Sequence, residues 1–86
     1  MKRKANYTVK TIGDVNMLLP SEGDAALTGV MTLNETGIFI WDMLAEDRTE
    51  GEIVSAMAKE YAAPEEVLEA DVKAFVAKLE KHGLLE

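Results

Sequence analysis

The residues that could do chemistry in this 86-residue chain are few and scattered. His82 is the single histidine. It stands where a helix should end, which suits a partner for the helix dipole, and no second imidazole joins it to hold a metal. The chain has no cysteine, so thiolate catalysis, disulfide stapling and cysteine-held zinc or iron–sulfur groups are excluded. Ser21 follows a proline and Ser55 faces out of a helical pattern, so neither sits in a nucleophile elbow. Gly13, Gly23, Gly29, Gly37, Gly51 and Gly83 lack the spacing that cradles a phosphate. Glu65, Glu66, Glu69 and Asp71 are dense, but at helical spacing they read as a solvated face and a complement to a helix's positive end. Calcium-loop spacing is absent. The expectation is a protein without catalytic, metal or cofactor chemistry.

What is left is recognition, and charge narrows its kind. The formal net charge is −7. Lys2, Arg3, Lys4 and Lys10 lie in the first ten residues, which carry no acid, and the remainder is strongly acidic. Such a surface repels a phosphate backbone, which argues against nucleic-acid binding. No long apolar run follows the basic start, so neither a secretory signal nor a membrane span is expected, and a cytoplasmic location is. A chain this short buries roughly 60–65% of its unfolded surface, enough for one small core, so residues 1–86 read as a single domain. Residues 1–6 read as a flexible basic arm.

The elements that must position any site follow from periodicity. Tyr7, Val9 and Thr11 alternate with polar residues up to Ile12, Gly13-Asp14 signals a turn, and Val15 to Leu19 is a second short run. Together they read as a hairpin. Pro20 to Asp24 is a loop by composition, and Leu27 to Leu33 is a third strand with Gly29 inside it, as at a bulge or a close backbone approach. Thr32 or Asn34 can cap a first helix over Glu35 to Leu44, with Glu35 answering Thr32 in a capping box. That helix carries Ile38, Phe39, Ile40, Trp41, Met43 and Leu44, apolar nearly all round, and must be covered on several sides. Trp41 therefore reads as core, and Met17, Met31, Met43 and Met57 as core filling. Thr49-x-x-Glu52 caps a second helix with Ile53, Val54, Met57 and Tyr61 in one stripe. Pro64 opens a third, which carries Leu68, Val72, Phe75, Val76 and Leu79 and stops at Gly83. The fold class is α+β: a three-stranded antiparallel sheet followed by a three-helix bundle, a winged helix-turn-helix-like arrangement.

The strand 27–33 has no lysine or proline to block pairing. Such an edge is either covered by the protein itself or open to another strand. If the third helix lies beside it, an extended peptide could pair with the strand and lay alternate side chains against the helix.

These segments in this order resemble the PqqD family, the peptide chaperones also called RiPP recognition elements. The resemblance is carried by Ile12-Gly13-Asp14-Val15-Asn16-Met17-Leu18-Leu19, then Leu33-Asn34-Glu35-Thr36-Gly37-x-x-Ile40-Trp41. It continues through Thr49-x-x-Glu52-Ile53, Tyr61 and Asp71-Val72-x-x-Phe75-Val76-x-x-Leu79 to Gly83-Leu84-Leu85. It implies a non-catalytic domain that binds the leader of a ribosomally made precursor peptide by strand addition and presents it to a modifying enzyme, of radical SAM/SPASM type or another peptide-modifying kind. Carried onto this chain, it implies backbone pairing at Thr28, Gly29, Val30, Met31 and Thr32 and a helical wall of Asp71, Val72, Phe75 and Leu79. The segment Pro20 to Ala26 is longer than in members serving pyrroloquinoline quinone synthesis, so the resemblance does not fix the product. The same fold admits a winged-helix nucleic-acid-binding regulator or a structural subunit of a larger modifying enzyme as alternatives.

Overall fold

A computed structural model describes residues 1–20 and 31–86. Strands β1 (Tyr7–Ile12), β2 (Val15–Pro20) and β3 (Met31–Leu33) precede helices α1 (Glu35–Met43), α2 (Glu50–Glu60) and α3 (Glu65–Lys81). The sheet runs β1-β2-β3, antiparallel throughout. Gly13 turns the hairpin with φ +61°, a conformation an L side chain rarely adopts. Register puts Val9, Leu18 and Met31 in one row. Leu18 is buried, so this row and Leu33 define the core face of the sheet. Met17 and Thr32 pair on the opposite face. Met17 is therefore not core filling, and of the four methionines so expected only Met57 is fully buried.

Asn16 joins the three strands near the hairpin. It accepts a hydrogen bond from the Thr11 hydroxyl at 2.7 Å and donates one to the Leu33 carbonyl at 3.2 Å. Thr32 and Leu33 are both still in the ladder of β3, which decides the cap of α1. Asn34 is the N-cap and accepts from the Gly37 N–H at 2.8 Å. The Thr32–Glu35 capping box does not form, because Thr32 is committed to pairing with Met17. Thr49 and Glu52 do form theirs, at 3.1 and 2.9 Å, and open α2. Helix α3 ends in a Schellman arrangement: Gly83 has φ +69°, its N–H reaches the Glu80 carbonyl, and the Leu84 N–H reaches that of Leu79.

The core sits where the helices converge under the sheet. Ile40, Trp41 and Leu44 from α1 and its end meet Ile53, Val54 and Met57 of α2 and Leu68, Val72, Val76 and Leu79 of α3. Trp41 is 1% exposed, a core residue as its neighbours required. Ile38, Phe39 and Met43 are half-buried, and the Phe39 ring meets Tyr61 edge-on, centroids 5.7 Å apart.

The basic start of the chain departs from expectation, because it is not a free arm. Arg3 pairs with Leu85 in an isolated bridge, the Arg3 N–H bonds the Leu44 carbonyl, the Lys4 N–H that of Leu84, and the Glu86 N–H that of Lys2. The physical reason lies at the end of α1. That helix has no basic residue in its last turn, so its carbonyls lack a cation. Arg3 supplies one from a distance in sequence: its Nη1 donates to the Trp41 carbonyl at 2.9 Å, with the guanidinium 5.0 Å from the Trp41 ring centroid. The N-terminal ammonium donates to Asp47 at 2.6 Å and holds that carboxyl below its usual range.

Candidate functional site

Strand β3 is an edge strand: among the described residues it pairs only with β2. Beside it a groove of about 380 Å³ opens between Met31, Thr32 and Leu33 on one side and the α3 residues Asp71, Ala74, Phe75 and Lys78 on the other. The N-cap and first two turns of α1 close its floor with Asn34, Thr36, Gly37 and Ile40.

The helix wall is set by the rotation of α3. Leu68, Val72, Val76 and Leu79 recur at helical spacing and are all buried. Asp71, Phe75 and Lys78 each precede a buried residue by one position, a displacement of about 100° around the helix, and Ala74 stands one turn from both Asp71 and Lys78 on the same side. Asp71, Ala74 and Lys78 are exposed, and Phe75 is half-buried between the groove and the core. The helix thus has a packing stripe and a groove stripe side by side.

Of the residues the sequence pointed to, Met31, Thr32, Asp71 and Phe75 all line this groove. Val72 and Leu79 do not. Both are 0% exposed, because their positions fall on the stripe that meets α1 and α2. Thr28, Gly29 and Val30, and the loop expected after Pro20, lie outside the described residues. Ala74 and Lys78 were missed, and their signal was present: each is three or four residues from Asp71 or Phe75 on one helix face. Gly37 was missed as well. A Cβ there would stand 3.2 Å from Cε1 of Phe75 and 3.1 Å from Oδ1 of Asn34. The bare backbone at Gly37 is what lets the Phe75 ring settle against the start of α1, and so it shapes the groove floor.

The site holds a backbone edge, an aromatic ring and two opposite charges. Among the described residues no cluster of histidine, aspartate and glutamate could hold a metal ion, and no helix is long and apolar enough to cross a membrane. An edge strand, an adjoining helix face and a groove between them are what a strand-adding peptide requires.

The fold and this groove define a winged helix-turn-helix-like α+β domain with one sheet edge beside its last helix. The chain belongs to the PqqD family: the family described as Coenzyme PQQ synthesis protein D matches residues 16–85. Two solved structures share the fold. One is TbiB1 in complex with the TbiA(beta) leader peptide, 29% identical, with a TM-score of 0.75 over 100% of this chain and 95% of that one. The other is a lasso peptide synthetase B1 complexed with the leader peptide, 20% identical, with a TM-score of 0.70 over 96% of this chain and 93% of that one. No relative is found among curated protein sequences.

Proposed function

We propose that this protein is a non-catalytic, cytoplasmic peptide chaperone. It binds the leader region of a ribosomally synthesised precursor peptide as an added strand on β3 and presents it to a modifying enzyme, of radical SAM/SPASM type. The observation that carries the reading is the groove itself, with the side of β3 that pairs with no strand among the described residues facing the Asp71–Phe75–Lys78 stripe of α3. Membership of the PqqD family and the likeness to TbiB1, solved with a leader peptide, support it. Backbone hydrogen bonds to β3 supply affinity for any extended segment, and side chains lying against α3 supply selection. The dense acids of α2 and α3, Glu50, Glu52, Glu65, Glu66 and Glu69, suit such a partner better than a nucleic acid.

Titration of the ¹⁵N-labelled chain with the leader of the precursor peptide encoded beside it tests the reading by NMR. Shift changes are expected at Met31 to Leu33 and along Asp71, Ala74, Phe75 and Lys78. Shifts confined to other elements, or none at micromolar peptide, would remove the proposal.

A further inference from the structure

The groove stripe of α3 has an order of charge. Asp71 and Lys78 both line the groove and are seven residues apart, so they stand about 10.5 Å apart along the helix axis, with Phe75 between them. Neither makes an ion pair among the described residues, where the pairs are the N-terminus with Asp47, Arg3 with Asp42 and Arg48 with Glu46. The other acids of α3, Glu65, Glu66, Glu69 and Glu80, lie off this groove. One end of the wall is therefore negative, the middle aromatic and the other end positive.

An extended peptide presents alternate side chains to one face, about 6.8 Å apart. Three of them, at i, i+2 and i+4, span about 13.6 Å, which the reach of the Asp71 and Lys78 side chains accommodates. We propose that the groove reads charge order: its occupant is an extended peptide of pattern basic-x-apolar-x-acidic, or its reverse according to strand direction. The basic side chain lies at Asp71, the apolar one over Phe75 and the acidic one at Lys78, and the opposite order is disfavoured. This rests on the peptide-binding reading above and names the ligand's chemistry within it. Exposed ion pairs are weak singly, each giving about a two-fold preference. Reversing the order exchanges two attractions for two repulsions, so about a ten-fold difference between orders is expected at low salt, shrinking as ionic strength rises.

The test uses a display library of random sixteen-residue peptides, selected on the full chain and on the double variant Asp71→Lys/Lys78→Asp. The wild type should enrich one charge order around an apolar residue at i, i+4 spacing, and the double variant the opposite order. The neutral variants Asp71→Asn and Lys78→Gln, which leave the packing stripe untouched, should each enrich apolar-centred peptides with the charge preference weakened. They carry the test if the double variant fails to fold. Enrichment of the same order by both proteins, or of apolar-centred peptides without charge order, overturns this inference and leaves the peptide-binding reading standing. Failure of the wild type to enrich any peptide over bare support overturns both.

Discussion

Two stripes of one helix divide the work of this protein. Along α3, Leu68, Val72, Val76 and Leu79 are sealed against α1 and α2, while Asp71, Ala74, Phe75 and Lys78 face the groove beside β3. The stripes differ by one residue of phase. That small rotation separates positions that hold the fold from positions free to hold something else. It teaches that aliphatic character does not mark the candidate site here: Leu68, Val72, Val76 and Leu79 are taken by the core, and the groove stripe mixes acid, small, aromatic and basic.

The largest expected effect comes from the packing stripe. Leu79→Ala should cost about 2–5 kcal/mol. In a domain of this size that lowers Tm by about 4–8 °C for each kcal/mol, readable in a thermal melt. Peptide affinity should fall only to the extent that the variant unfolds. A Leu79→Ala protein with native Tm and lost binding would break the comparison, since it would put a buried residue in the site.

Next come proline substitutions in β3. In an antiparallel pair, adjacent residues alternate between giving both backbone groups to the neighbouring strand and turning both outward. Of Met31 and Thr32, one therefore serves the ladder to β2 and the other the open edge. Met31→Pro and Thr32→Pro should part company: one destabilises the sheet, and the other keeps its Tm and loses peptide binding by at least about ten-fold, since a ring nitrogen cannot donate. Calorimetric melts paired with fluorescence titration decide it. Two folded variants that bind as well as the parent would place the partner strand elsewhere.

What the sequence disclosed and what it hid follow the same division. The hairpin turn at Gly13-Asp14, the Thr49–Glu52 box and the Gly83 stop were legible because each is a bargain among residues within a few positions of one another. The periodicity of α3 was legible as well, but not its phase relative to the sheet. Val72 and Leu79 fit a helical wall as well as Asp71 does until α1 and α2 are in place. The N-terminal segment was misread for a related reason. Lys2, Arg3 and Lys4 look like a solvated arm unless the end of α1 is known to lack a cation, and Arg3 reaches Trp41 across 38 positions of sequence.

Phe75 straddles the two stripes and should show both effects in reduced measure. It is half-buried, so Phe75→Ala should cost less than the roughly 3–5 kcal/mol of a fully buried ring. Affinity should drop beyond what the melt accounts for. Phe75→Leu restores volume without the flat ring, and should recover stability more fully than binding. Equal recovery of both would assign Phe75 to packing alone.

The smallest effect on stability, and the sharpest on the boundary between stripes, is expected at Gly37. Alanine is the better helix former by about 1 kcal/mol, but its Cβ would press on the Phe75 ring at 3.2 Å. The two terms oppose each other, so Gly37→Ala should melt within about 1 kcal/mol of the parent. The ring it displaces lies on the groove side, so peptide affinity should change while Tm hardly moves. Phe75→Leu in the same chain removes the contact, and alanine at position 37 should then be neutral for binding. A binding change that persists in the double variant would mean position 37 acts through the Asn34 cap, whose Oδ1 the new Cβ also meets at 3.1 Å, or through the open backbone at the start of α1, and that the groove floor belongs to the recognition surface as much as α3 does.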